Sequence, residues 1–349
     1  MLTVYLITAS GKTRLADQSA KGYEISGAVV KQTLNEVSSA KLTFPSTNLF
    51  VRSVIGTSRP VIEVMDGETR VFYGAVVSAK VDIWGNTEFD CDGALSFLSD
   101  VVKAPFTVNN KTKAEYIQAI VDQYNAAVSA ERQVWFGGVV GFDSENVDID
   151  HSEEYTDTLT LFKEAVEKYG GYIVETFGSG SVHPYVGWMK DPEIDSGKVL
   201  EFGVNEITLA NQLDFSDYAS RVYATGQNGL TLPAGYVSDS SAEAAFGRRD
   251  YALKTNASNT ASLAVQALAE LFTRSTPFRS IELTALDLEQ LGHNYSGFVL
   301  GTTATMLDAH FGINMTVMVN TVERDLIDKQ NGKIILGRAP ATLTNSIAR

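Results

Sequence analysis

The chain has 349 residues, 44% hydrophobic and 20% charged, an ordinary globular composition with length enough for two or three domains with cores of their own. Its 42 acidic and 28 basic side chains leave a formal net charge of -14, which argues against a protein that grips nucleic acid through cationic contacts. No apolar run approaches the roughly 20 residues of a membrane span, and the single cysteine, Cys91, excludes an intramolecular disulfide framework.

The amino terminus, Met-Leu-Thr-Val-Tyr-Leu-Ile-Thr, has neither a basic flank nor a cleavage-like segment and reads as a first strand over residues 1–8. Strands follow at 23–33, 36–45, 60–65, 69–84 and 87–92, then a short helix near Leu95–Val101. In "GETRVFYGAVVSAKVDIWGNTEFDCDGALSFL", residues 67–98, Val71, Tyr73, Ala75, Val77, Ala79, Val81 and Ile83 occupy odd positions, with Ser78, Lys80 and Asp82 between them. This period-2 pattern predicts one long strand with its odd face in the core. A two-residue turn at Asp66-Gly67, with type I′ chemistry, pairs Ile62 with Val71 and Val64 with Thr69. Phe89 and Cys91 return on odd parity, so pairing them on the same face with Ile83 and Val81 needs an odd loop such as Gly85-Asn86-Thr87. Gly74 is a place for the long strand to bend, and Cys91 is read as a small core residue rather than a reactive thiol.

The rhythm then changes. Thr112-Lys-Ala-Glu115 is a capping box, and Ile117, Ile120, Val121, Tyr124 and Val128 repeat at helical spacing, which predicts a helix over 113–128. A second helix over 157–169 buries Leu159, Phe162, Val166 and Tyr169 and stops at Gly170-Gly171. "YIVETF", the Gly-Ser-Gly-Ser turn at 178–181 and "VHPYVGWM" form a hairpin. Strands resume in 205–227; residues 228–256 read as an irregular, mobile or partner-ordered loop in which Arg248-Arg249 is the expected first site of tryptic cleavage. Ala264, Leu268, Leu271 and Phe272 mark a third helix, capped near Asn259. The last stretch returns to strand in "SIELTALDL", "GFVLG", "NMTVMVNTVERDLI" and "KIILGR". The fold class is β-rich α+β: a first antiparallel β-barrel-like domain over 1–103, a mixed α+β domain over 104–204, and a second, similar barrel-like domain over 205–349 with an irregular and helical insertion at about 228–275.

Nothing in the chain forms a recognisable catalytic constellation. The four histidines, His151, His183, His293 and His310, lie in no His-Glu-x-x-His helix, and there is neither a Gly-x-Ser-x-Gly elbow nor a P-loop. The acidic run "DSENVDIDHSEE", 143–154, offers Asp143, Glu145, Asp148 and Asp150 as oxygen ligands but lacks the glycine and terminal glutamate of an EF-hand loop, so it reads as a solvated loop. The glycine-serine turn at 178–181 joins two strands rather than preceding a helix, which makes it a hairpin loop and not a phosphate cradle. Tyr and Phe are abundant, 14 and 17, and fall mostly on core positions rather than on a sugar-binding face. No catalytic, cofactor or metal-binding residue is assigned.

The passage "FYGAVVSAKVDIWGNTEFDCDGALSFLSD", 72–100, resembles the baseplate hub proteins of long-tailed bacteriophages, including the amino-terminal hub segment of tail-associated lysins. Three further passages resemble the same family in the same order: "SSAKLTFPSTN" at 38–48, "NEITLANQLDFSDYASRVYATGQ" at 205–227 and "GINMTVMVNTVERDLIDKQNGKIILGRAPATLTNSI" at 312–347. The resemblance implies a virion component made in the host cytoplasm: a homotrimer whose paired barrels form a pseudo-hexameric ring between the sixfold tail tube and the threefold tip. The implied partners are tail tube or distal tail proteins and receptor-binding or tip proteins, with DNA passing through the channel without specific binding. No cofactor is implied. The end at Arg349, directly after the last hub-like strand, leads to the expectation that no carboxy-terminal peptidase or muramidase domain follows. A cell-wall hydrolase and a carbohydrate-binding adhesin are the alternative function classes, and a contractile bacteriocin would use the same hub.

Overall fold

A computed structural model describes residues 1–54, 59–142, 146–151, 155–177, 183–190, 195–201, 206–285, 298–308, 313–328 and 333–337. The chain divides into two compact units, Met1–Leu209 with Leu283–Arg349, and Ala210–Glu282. No helix among the described residues is long and apolar enough to cross a membrane.

In the first unit β1 (Leu2–Thr8), β2 (Gly11–Asp17), β3 (Gly27–Thr33), β4 (Ser39–Phe44), β5 (Val61–Asp66), β6 (Thr69–Val81) and β7 (Thr87–Gly93) pair in the order β3-β4-β7-β6-β5-β1-β2, all antiparallel. β2 falls in a stretch that the sequence reading left without a strand. β3 also pairs with Ile313–Asp325, which joins the last strands of the chain to the first through Thr321↔Thr33 and Asp325↔Val29. Within the first unit Ile313–Asp325 also pairs with Lys333–Gly337. The β-rich α+β class is as expected; no closed barrel is found among the described residues.

The long strand departs from its simple parity. Phe72 and Val76 face a core with Leu42, Phe44, Val64, Phe89 and Cys91, while Tyr73 and Ala75 face a second core with Leu95, Phe97 and Leu98. Two cores on two faces need apolar residues at even and odd positions alike. Val77 is then a bulge residue: Val76 pairs with Cys91, whereas beyond it Ala79 pairs with Phe89 and Val81 with Thr87. The odd loop is therefore the five residues 82–86, and Val77, Val81 and Ile83 are exposed instead of buried. The preceding turn is also displaced. Asp66 pairs with Thr69, so the loop is Gly67-Glu68, with Gly67 at φ 62°, and a bulge at Val71 brings Val64 opposite Phe72. Positive φ at the first loop position alone fits type II′, not the expected type I′. Gly74 is a point of close approach rather than a bend: a Cβ there would sit 2.1 Å from the Asp92 carbonyl oxygen.

The helices obey their caps. α1 (Lys113–Asn125) starts at Thr112 with both capping-box bonds in place, and α2 (Thr158–Tyr169) starts at Asp157, whose carboxylate accepts from the Thr160 amide, and ends at Gly170 with φ 77°. Both pack on the second core with Trp188, in the strand Tyr185–Met189. That strand pairs with Tyr172–Thr176 as the expected hairpin and in parallel with Trp135–Val140. The acidic run departs from its expected loop, because Asn146–His151 is a strand paired with Phe106–Thr112; residues 143–145 and 152–154, like the turn at 178–181, lie outside the described residues.

Glu175 is buried where three segments meet. The Ser38 hydroxyl donates to Glu175 Oε2, and the Ala94 amide donates to Oε1 at 2.9 Å. Loss of water pushes its carboxyl up to about 7 from the usual 4.5. The folded chain thus holds a proton that the unfolded chain releases: the contribution is complete below about pH 4.5 and is lost as pH rises through about 7. At about 1.4 kcal/mol per pKa unit, the loss reaches at most roughly 3 kcal/mol. Urea midpoints measured from pH 4.5 to 8 are expected to fall across this window, and Glu175→Gln is expected to flatten the slope by stabilising the protein at pH 8; an unchanged slope would refute the assignment.

In the second unit Arg221–Thr225 pairs antiparallel with Val237–Ser238 and in parallel with Asp250–Lys254, and α3 (Ser240–Phe246), capped by Asp239, lies in the connection. The stretch 228–256 is thus built structure, contrary to the irregular loop read from its composition. Arg221 grips Glu243 through two bonds of 3.0 and 2.8 Å, and the Arg249 carbonyl accepts from the Ser220 and Arg221 amides. Limited trypsin treatment is accordingly expected to spare the Arg248-Arg249 step at first; its early cleavage would show that this unit opens readily in solution. α4 (Thr260–Arg274) is capped by Asn259 as expected, but it buries Leu263, Ala267 and Leu271 against Val222 and Ala224. Leu268 and Phe272, which mark the helix in the sequence, are exposed.

Candidate functional site

Among the described residues, chemistry-bearing side chains do not converge. Among the described residues no group of three His, Cys, Asp or Glu side chains is placed to hold a metal ion. Cys91 is buried and its thiol is pushed far up by desolvation, as befits a core residue. His183 lies against the Trp135 ring, 5.2 Å between centroids, and desolvation lowers its pKa. His293 and His310 fall outside the described residues.

Two of the exposed apolar surfaces among the described residues carry the largest uncovered side chains. The first is the tip of the β6–β7 hairpin, where Ile83 is 91% and Trp84 76% exposed. The turn holding them is closed by several hydrogen bonds. The Asp82 carboxylate accepts from the Trp84 amide, the Asn86 amide and Asn86 Nδ2, each at 2.8 Å, and the Gly85 amide donates to the Asp82 carbonyl at 3.0 Å. The Asn86 side-chain bond is the main cause holding the Asp82 carboxyl below its usual range. Asn86 Oδ1 in turn accepts from the Ser46 amide at 3.1 Å, which ties the tip to the segment after β4. A tip fixed in this way loses little conformational freedom on contact.

The second surface is the outer face of α4, with Val265, Leu268 and Phe272 exposed by 67%, 54% and 77%. Together with Ala261 they follow a 4-3-4 spacing, the repeat of a helix that packs against another surface along a seam. The sequence carried a signal for both surfaces: Ile83 and Trp84 are consecutive large apolar residues at a turn, and α4 has large apolar residues on more than one face, Leu263 and Leu271 as well as Val265, Leu268 and Phe272. Of these residues, Ile83 was expected in the core from its odd parity.

With that geometry in view, the comparisons with known proteins converge. Residues 194–347 match the family model described as prophage endopeptidase tail. Over nearly its whole length the chain shares its fold with the 43 kDa tail protein of prophage MuSo2 from Shewanella oneidensis, at a TM-score of 0.64 and 14% identity over 97% of this chain and 99% of that one. The tail protein from Neisseria meningitidis MC58 is similar at a TM-score of 0.63 and 13% identity, over 97% and 96% of the two chains. An Escherichia coli protein, c3393, described as a component of the type VI secretion system with structural similarity to the T4 bacteriophage tail proteins gp27 and gp5, is similar at a TM-score of 0.51 and 10% identity, over 90% and 73%. No curated protein matches the sequence. The fold is that of phage tail and baseplate hub-like proteins, and the resemblance carried by the four sequence passages stands.

Proposed function

We propose that this chain is the hub of a phage or prophage tail tip: a homotrimer that adapts the sixfold tail tube to the threefold tip and forms part of the channel for genome ejection. The observation that carries the reading is the shared fold over 97% of the chain with a tail protein that it covers to 99%. Two β-rich, barrel-like lobes, 1–103 and 205–349, flank the α+β segment 104–204 and supply the pseudo-sixfold ring. Tail tube or distal tail proteins bind one side, receptor-binding or tip proteins the other. Three chains carry three times -14, or -42 formal charges; an acidic lining of the bore repels DNA and lets it slide. Light scattering after size exclusion is expected to give 113 kDa, three times 37.8 kDa. A stable 37.8 kDa species at every concentration would overturn the trimer.

A second reading, a cell-wall hydrolase, takes its support from the word endopeptidase in the family description. The absence of a three-residue metal cluster among the described residues and the burial of Cys91 give it no machinery there. Purified peptidoglycan incubated with the protein is expected to release no soluble fragments; clear turnover would promote the enzyme reading.

A further inference from the structure

We propose that the β6–β7 tip of one copy seats Ile83 and Trp84 on the outer face of α4 of a second copy, so that the ring closes head to tail. This rests on the trimer reading above and names the contact that makes it.

The first support is shape. The tip is convex and carries two large side chains on a turn pinned through Asp82. On α4 the large residues Val265, Leu268 and Phe272 alternate with the exposed Ala261 and Ala269, which leaves gaps between ridges that a large side chain fills. A rigid aromatic and aliphatic pair entering such gaps is the usual make-up of an interface anchor.

Charge selects the pairing. Ala210–Glu282 holds seven acidic and six basic side chains, a net -1, so the rest of the chain carries the remaining -13 of the total -14. Tip against tip would bring two strongly acidic units together, whereas tip against α4 brings an acidic unit to a nearly neutral one. The exposed residues of α4, Ala261, Val265, Gln266, Leu268, Ala269, Phe272 and Thr273, include no charged side chain, and Glu270 is held by Arg274 at 2.6 Å. Lys80 and Arg52, both exposed, flank the tip with positive charge; the Arg52 guanidinium lies 3.5 Å from the Gly85 carbonyl.

Symmetry points the same way. A contact between two different surfaces of one chain generates a closed ring when its rotation closes, while a like-with-like contact stops at a dimer. Each patch is smaller than the roughly 800 Å² per partner of a stable interface, so tip and helix form the apolar centre of a wider contact.

The test uses Lys80→Cys, beside the tip, and Gln266→Cys, beside the apolar stripe of α4, so that Ile83, Trp84, Leu268 and Phe272 stay in place; the two variants are co-expressed with different tags and treated with a bismaleimide crosslinker, both sites are exposed, and the native Cys91 is buried and stays silent. Expected are crosslinked dimers that carry both tags, little product from either variant alone, and covalent trimers from the double variant. Self-crosslinking of either single variant as the main product would overturn the proposal in favour of a like-with-like contact. A 113 kDa particle without the mixed crosslink would leave the trimer standing and remove this interface. Monomers at every concentration would remove both.

Discussion

Trp188→Ala is expected to cost about 3–5 kcal/mol, the range for removing a fully buried aromatic side chain. The indole is 1% exposed and meets the rings of Phe142, Phe162 and Tyr169, at centroid distances of 4.7, 6.2 and 6.5 Å, so that α2 and Phe142, just after the strand Trp135–Val140, both rest on it. Its Nε1 also donates to the Gly170 carbonyl at 2.9 Å, at the end of α2. The cavity left by alanine borders rigid aromatic walls, and partial collapse is all that relaxation offers. Trp188→Phe retains most of the packing and loses the bond to Gly170, for a smaller loss of about 1–2 kcal/mol. Urea unfolding followed by circular dichroism separates the two; equal losses would mean that the hydrogen bond, not the packing, fixes α2.

The second large effect is expected at Gly74. A Cβ there would lie 2.1 Å from the Asp92 carbonyl oxygen and 2.7 Å from Phe72 Cζ, and the residue opposite is Gly93, where a Cβ would lie 1.9 Å from Ser38 Oγ. Backbone cannot step aside without breaking the β6–β7 ladder that supports both cores. Gly74→Ala should therefore cost about 3 kcal/mol or more, at the upper end for overpacking. Gly187→Ala is the control. Its Cβ would meet only the Gly138 carbonyl, at 3.6 Å, an ordinary contact in a strand, so the change should stay within about 1 kcal/mol. Soluble yield and midpoint denaturation read both variants; a Gly74→Ala protein as stable as the Gly187→Ala protein would show that the sheet yields more easily than this packing implies.

Local signals decided what they physically control. Thr112 and Glu115 set the start of α1, Asp157 that of α2 and Asn259 that of α4, because a cap satisfies amides within one turn of itself. Gly170 ended α2 for the same local reason. The hairpin of Tyr172–Thr176 with Tyr185–Met189 was equally legible, since its two members are close in the chain and both have strand-forming composition. The hub resemblance, too, was carried by short passages that survive at low overall identity.

The misreadings share one cause. Parity assigns a face, but it does not say whether that face meets a core, a second core or nothing. Val77, Val81 and Ile83 carried the pattern of a buried stripe, and a single bulge at Val77, together with the end of the partner strands, left them outside. On α4 the two candidate faces were nearly equal in hydrophobicity, and only the position of Val222 and Ala224 chose Leu263, Ala267 and Leu271 over Leu268 and Phe272. Pairings such as Thr321 with Thr33 and the burial of Glu175 against Ser38 and Ala94 join residues far apart in the chain, with no local propensity to announce them. By itself the sequence determined the β-rich α+β class, the helix starts, the inertness of Cys91 and the tail-protein resemblance, all of which rest on short-range chemistry or composition. The tertiary structure decided the bulges, the second core beneath β5–β7 and the two apolar surfaces left uncovered, because burial depends on which distant segments arrive to exclude water.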